Sequence, residues 1–117
     1  MDPRVHEVLR HLEANYSEHL LVGRLAARVG LSRSRFEHLF KPETGTTVKA
    51  YLRRVRLLAA SDLLGDWTLS VKEVAARVGY TWPSDLTRDF RKQFGMTPSR
   101  WRKDALSRGG TARSPSE

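Results

Sequence analysis

A short amphipathic segment that runs into a glycine, followed within a few residues by a second amphipathic segment, occurs twice in this chain. That duplication constrains the fold more than any other feature. The stretch VGRLAARVGLSRSRFEHLFKPETGTT opens at Val22 and VKEVAARVGYTWPSDLTRDFRKQFGMT opens at Val71, with one extra residue in the second copy. Equivalent places hold Ala26 and Ala75, Arg28 and Arg77, Val29 and Val78, Gly30 and Gly79, Phe40 and Phe90, Gly45 and Gly95, and the aromatic pair Tyr51 and Trp101. Two copies are too few for a solenoid, whose units need several neighbours to bury their faces. The expected organisation is two similar modules acting side by side.

Helix boundary signals frame the repeat. Asp2-Pro3 and Thr97-Pro98 each place a capping oxygen before a proline at a first helical position, and Ser70 with Glu73 forms a capping box. The pattern predicts an all-α chain of seven helices, near residues 3–16, 21–29, 33–42, 47–64, 71–78, 82–94 and 98–106. These group as two helix-turn-helix subdomains, homeodomain-like three-helical units joined by a long central helix. The first unit covers about 3–46, the linking helix about 47–64 and the second unit about 65–106, making 1–106 one tandem domain. The remainder, 107–117 (SRGGTARSPSE), is rich in Gly, Ser and Pro without apolar periodicity and is expected to be a disordered tail.

Within each copy the apolar residues recur at helical spacing. Leu25, Ala26 and Val29 form one stripe, and Phe36, Leu39 and Phe40 form the next. Gly30 and Gly79 stand where a helix must end and reverse, a left-handed position that glycine takes without a side-chain clash. Small Ala26 and Ala75, four residues earlier, let the two helices of each unit approach. A short glycine turn between two such helices is a helix-turn-helix.

If Phe36, Leu39 and Phe40 face inward, Ser34, Glu37, His38 and Lys41 face outward, flanked by Arg33 and Arg35. In the later copy Leu86, Phe90 and Phe94 turn inward, leaving Ser84, Thr87, Arg88, Arg91 and Lys92 exposed. A helix of this kind fits the DNA major groove, where Arg bonds guanine bidentately and hydroxyl, imidazole and carboxylate groups read base edges. Solvated helix faces look the same in a sequence, so the stripes alone leave both readings open. Duplication of the glycine turn ahead of each stripe favours groove reading.

Charge narrows the partner. With 21 Lys and Arg against 13 Asp and Glu, the net charge of +8 favours a polyanion. No run approaches the roughly 20 apolar residues of a membrane span, and the amino terminus lacks the apolar run of a signal peptide, so a soluble cytoplasmic, nucleoid-associated protein without membrane contact is expected. The absence of cysteine excludes disulfides, thiol nucleophiles and thiolate metal sites. His6 and His11 flank a Glu7 in the manner of a zinc-protease motif, but their i+5 spacing separates the rings by about 140° around the helix. No metal or cofactor is expected. Nor is an enzyme, because no phosphate loop, nucleophile elbow or acid pair is present.

The second copy, read with its flanks, resembles the DNA-binding region of the AraC/XylS (arabinose-regulator) family of transcription factors. The likeness rests on Val71 to Tyr80, which follow the family's Ile/Val-x-x-Val-Ala-x-x-Val-Gly-Tyr. Its closing signature appears as Phe90, Arg91, Lys92, Phe94, Gly95, Thr97, Pro98, Trp101 and Arg102. Tyr51, Leu52, Arg56, Leu57, Ala60, Leu63 and Leu64 are similar to the family's connecting helix, so the resemblance covers about residues 4–103. It implies two recognition helices entering neighbouring major grooves of promoter DNA, with half-sites about 10 bp apart that one chain reads as a monomer. It also implies activation of transcription through RNA polymerase. Family positions that reach bases fall on Ser34, Glu37 and His38, and on Pro83, Ser84, Thr87 and Arg88.

Departures from the family pattern carry their own expectations. Leu86 replaces a bulkier apolar residue at small cost. Pro42 removes an amide donor and disfavours helical geometry at Lys41, so the third helix is expected to end early and Lys41 to lose its aim. Pro83 cannot donate to a base and is suited to an apolar contact such as a thymine methyl. Phosphate contacts are expected from Arg33, Arg35, Lys41, Arg91 and Lys92, and from Arg100 and Arg102 near the start of the last helix. Arg56 reads as a structural ion-pair residue, and Trp67 and Trp101 as packing residues. Trp82 either packs or touches the sugar-phosphate backbone. The rival reading is a helical protein-interaction or adaptor module with a basic surface, which a helix-turn-helix alone does not exclude. The family often attaches this region to an effector or dimerisation domain, so the chain reads either as a small complete regulator or as part of a longer one.

Overall fold

The computed structural model describes residues 1–107. The expected disorder of the tail falls, Ser107 apart, outside the described residues. Seven α-helices and no strand occur among the described residues: α1 Pro3–Ala14, α2 Val22–Arg28, α3 Arg33–Thr44, α4 Val48–Leu63, α5 Val71–Val78, α6 Pro83–Phe94 and α7 Pro98–Ser107. The chain divides into one unit of Met1–Val55 and a second beginning at Arg56.

In the first unit the Asp2 side chain caps α1 by accepting the Arg4 amide at 2.8 Å, while the Asp2 amide donates to Glu43 at the end of α3. Val5, Val8 and Leu12 of α1 pack with Val22, Leu25 and Ala26 of α2, Phe36 and Phe40 of α3, and Val48 and Leu52 of α4. Each helix's side chains in this cluster include pairs three or four apart, which is why each helix buries one stripe. Tyr51 extends the cluster. Its ring meets Phe40 edge-on at 6.1 Å and its hydroxyl donates to Glu13 at 2.7 Å.

The second unit repeats the scheme. Ser70 and Glu73 close the capping box at α5, and Thr97 accepts the Arg100 amide at α7 just as Thr47 accepts the Ala50 amide at α4. Leu57, Ala60, Leu64, Leu69, Val74, Ala75, Val78, Leu86 and Phe90 are buried. Phe90, Phe94 and Trp101 form an aromatic triad with centroid separations of 4.5, 4.9 and 5.7 Å. Leu86, where the family is bulkier, is fully buried.

Two helix ends differ from the sequence expectation by more than one residue. The first helix stops at Ala14, with Asn15 bonding back to the His11 carbonyl, instead of reaching residue 16. More telling, α3 does not stop at Pro42. It continues to Thr44 and ends on Gly45 at φ 80°, whose amide bonds to the Lys41 carbonyl. Pro42 lies on the exposed side, and water can satisfy the carbonyl it leaves unpaired. Burial of Phe36 and Phe40 one turn earlier, and the Thr44 hydroxyl bonds to the Phe40 and Thr46 carbonyls, hold the last turn in place.

Candidate nucleic-acid interface

Each glycine turn delivers a helix whose inner stripe is consumed by the core. The Gly30 turn (φ 76°) leads to α3 and the Gly79 turn (φ 102°) to α6. On α3, Ser34, Glu37, His38 and Lys41 are exposed together with Arg33 and Arg35, while Phe36 and Phe40 are buried. Arg33 Nε lies 3.5 Å from Glu37, an i,i+4 pair in solvent worth at most about 1 kcal/mol. Arg33, Glu37, Lys41 and Lys49 line one hollow. Because α3 continues past Pro42, Lys41 stays on this helical face, against the expectation that its aim would be lost.

His38 is set in one tautomer. Its Nδ1 lies 2.9 Å from the Ser34 carbonyl, which can only accept, so Nδ1 carries the proton and Nε2 is the acceptor in the uncharged form of the ring. With the Glu37 carboxylate beside it, the α3 stripe presents acceptors at its centre and cations at its flanks.

The α6 stripe has the opposite character. Ser84, Thr87, Arg88, Arg91 and Lys92 line one shallow concavity, with Ser84, Arg88, Arg91 and Lys92 exposed and Thr87 half-buried. Pro83 is half-buried at the first position of the helix, and Trp82 ahead of it is 65% exposed, so Trp82 is a surface residue and not a packing one. Arg88 is held on both sides: Nη1 donates to Asp85 at 3.1 Å and Nε to Asp89 at 3.2 Å. The hydrogen bond donated to Asp89, followed by the charge of both carboxylates, raises the Arg88 pKa above the usual guanidinium value.

The other basic candidates separate by their partners. Arg100 is exposed and pairs with Asp104 at 3.3 Å along α7. Arg102 departs from the expectation of a phosphate contact. Its Nε donates to the Leu64 carbonyl at 2.9 Å and its Nη2 to those of Leu69 at 2.7 Å and Asp66 at 3.3 Å, with the guanidinium 5.1 Å from the Trp67 ring. The sequence placed Arg102 by its nearness to a helix start. The fold instead turns it onto the carbonyls of the α4–α5 loop, where the Asp66 carbonyl also accepts the Leu69 amide at 3.2 Å. Arg56 is half-buried, and burial pushes its pKa below the usual range, with Tyr80 opposing the shift. Trp67 serves as the Arg102 platform and Trp101 as part of the aromatic triad.

Sequence reasoning missed Lys49, Asp85, Asp89 and Tyr80. The repeat could have pointed to Lys49, which opens α4 as basic residues open α7. The acidic pair flanking Arg88 was visible at i−3 and i+1, but its contact with Tyr80 crosses the turn. Among the described residues no group of His, Asp and Glu is placed to hold a metal ion, and no helix is long and apolar enough to cross a membrane.

Residues 25–104 match the family model described as a helix-turn-helix domain, of the AraC type. This chain belongs to the AraC-type helix-turn-helix family. Among AraC-type relatives, the lactose operon transcription activator of Staphylococcus xylosus is 31% identical over 102 residues, covering 84% of this chain and 37% of that protein. The chain spans little more than a third of the length of the curated relatives it matches first. The DNA-binding domain of AdpA, solved in complex with a target DNA, is 35% identical with a TM-score of 0.85, covering 92% of this chain and 96% of that one. A probable AraC family transcriptional regulator from Rhodopseudomonas palustris is 29% identical with a TM-score of 0.80, over 89% and 98% of the two chains.

Proposed function

We propose that the chain is the sequence-specific DNA-binding part of a bacterial transcription activator, with α3 and α6 each inserted in a major-groove segment of promoter DNA. The observation that carries this reading is the pair of exposed stripes delivered by the two glycine turns. Support comes from the AdpA domain, which binds a target DNA and shares the fold. Ser34, Glu37 and His38 read bases from α3, and Ser84, Thr87 and Arg88 read them from α6, with Pro83 offering an apolar edge. Arg33, Arg35, Lys41, Arg91, Lys92 and Arg100 neutralise phosphates, and Trp82 lies against the backbone. Arg102 leaves this set because its Nε and Nη2 donors are committed to loop carbonyls.

The chemistry of the stripes sets different targets. Acceptors at His38 Nε2 and Glu37 suit the exocyclic amino groups of cytosine and adenine, whereas the Arg88 guanidinium suits O6 and N7 of guanine. The target is therefore asymmetric, with an amino-rich block for α3 and a guanine-bearing block for α6. Recruitment of RNA polymerase and a cytoplasmic location complete the proposal. Selection from a random duplex library at about 0.1 M salt, where exposed charges are partly screened, tests it. Two unlike blocks of enriched sequence are expected. A single block would mean that one helix reads no base, and absence of enrichment would return the chain to the adaptor reading.

A further inference from the structure

Arg88 stands among acids on a helix that is otherwise free to attract DNA. Arg91 and Lys92, one turn on, have no ion pair among the described residues, yet Arg88 is bracketed by Asp85 and Asp89. The trio carries one net negative charge, an arrangement that weakens attraction to phosphates. The bracket is also anchored. Asp89 is only 14% exposed against 60% for Arg88, and its Oδ2 accepts the Tyr80 hydroxyl at 2.9 Å while Oδ1 accepts Arg88 Nε. Tyr80 directly follows Gly79 of the turn, so the turn reaches the arginine through one carboxylate.

We infer that Asp89, braced by Tyr80, is a positioning residue that aims Arg88 at a guanine and turns it away from the phosphate backbone. The inference rests on the proposed reading that α6 lies in the major groove. A guanidinium has five N–H donors, and the two bonds to the acids leave the Nη2 pair and one Nη1 hydrogen at its tip. That tip is the edge that meets O6 and N7 of guanine. Holding Nε fixes the plane of the fork before binding, so less rotamer freedom is lost at the interface. A phosphate approached by the same tip would face two carboxylates, whereas the uncharged guanine edge meets them with little penalty. Asp89 thus contributes selectivity at the expense of general affinity.

Binding constants on the selected duplex, and on the three duplexes altered at the base pair whose preference Arg88→Ala relaxes, provide the test. A bidentate arginine–guanine contact discriminates by about 5- to 150-fold, and Arg88→Ala should abolish that. Asp89→Ala should lose at least half of it on a logarithmic scale, at that base pair alone, with binding to mismatched duplexes unchanged or tighter. Its log–log salt slope should steepen as the freed arginine reaches a phosphate. Asp89→Asn, which keeps an acceptor for Nε, should retain most of the selectivity. Tyr80→Phe should relax the same base pair about 2- to 5-fold and serves if Asp89→Ala does not fold. Relaxation by Arg88→Ala with wild-type selectivity in both Asp89→Ala and Tyr80→Phe would overturn the inference and leave the groove reading standing. Unchanged selectivity in Arg88→Ala would overturn both. A loss in Asp89→Asn as complete as in Asp89→Ala would also overturn the geometric account.

Discussion

Replacing Arg102 by alanine should damage the fold of the second unit without removing a DNA contact. The side chain donates to three carbonyls, of which those of Leu64 and Leu69 are in part-buried bonds and that of Asp66 is exposed. A hydrogen bond from a charged donor is worth about 1.5–3 kcal/mol when its partner stays dry, and less where water can replace it. The Trp67 contact at 5.1 Å adds about 0.5–1 kcal/mol at an exposed ring. Allowing water into the vacated loop, the total comes to about 2–4 kcal/mol. With a urea dependence of about 2 kcal/mol per molar, the middle of the usual range for a small domain, the unfolding midpoint should fall by about 1–2 M. Tryptophan fluorescence follows the transition, since Trp67 and Trp101 both report on this unit. Arg102→Lys should recover little, because an ammonium cannot present a planar fork to carbonyls on different residues. DNA affinity at low urea, corrected for the folded fraction, should keep the wild-type salt slope. The reasoning fails if Arg102→Ala unfolds at the wild-type midpoint while its log–log salt slope drops by about one, the signature of a lost phosphate contact.

Other expectations are separable from that one. Binding to the selected duplex should weaken steeply from 50 to 200 mM salt, with a slope of about −0.9 per phosphate and so about −5 for the six cationic side chains proposed to meet phosphates; anisotropy titrations showing no salt dependence would sink the groove reading. Gly95→Ala should destabilise by about 1–2 kcal/mol, because a Cβ there meets nothing within 4 Å and only the left-handed backbone at φ 80° resists it. Gly23→Ala, also unobstructed but helical, should stabilise by about 0.5 kcal/mol, and denaturation midpoints moving the same way in both variants would refute the backbone argument. Tyr51, its pKa raised to about 12 first by burial and then by the Glu13 bond, is a protonated group with a folded pKa above its unfolded value of about 10. The stability it contributes is therefore full below pH 10 and lost as pH rises from 10 to 12, and Tyr51→Phe should flatten that part of the pH–stability curve. An unchanged curve in the variant would assign the alkaline loss to other groups.

Which helix faces are buried and which are exposed was largely legible in the sequence. Helical periodicity placed Phe36, Phe40, Leu86 and Phe90 inside, and with them Ser34, His38, Ser84 and Arg88 outside, because on a helix of known pitch the direction of one side chain dictates those of its neighbours. Lys41 and Arg102 were read less well. For Lys41 the local rule about proline was correct in kind but outweighed by the buried aromatic pair of the preceding turn. For Arg102 nothing in the neighbouring residues reveals the carbonyls of a loop more than thirty positions away.

What the sequence determined alone was the order and kind of the helices, the duplicated glycine turn and the two outward stripes. These depend on φ preference, capping and periodicity, all of which act over a handful of residues. Which charged groups are available to a partner was decided only by the tertiary structure. Arg102 turns inward to loop carbonyls, Asp89 joins Tyr80 to Arg88 across a turn, and the last turn of α3 survives its proline. A guanidinium or carboxylate goes where unpaired donors and acceptors are left after the core has formed, and their positions exist only once distant segments have packed.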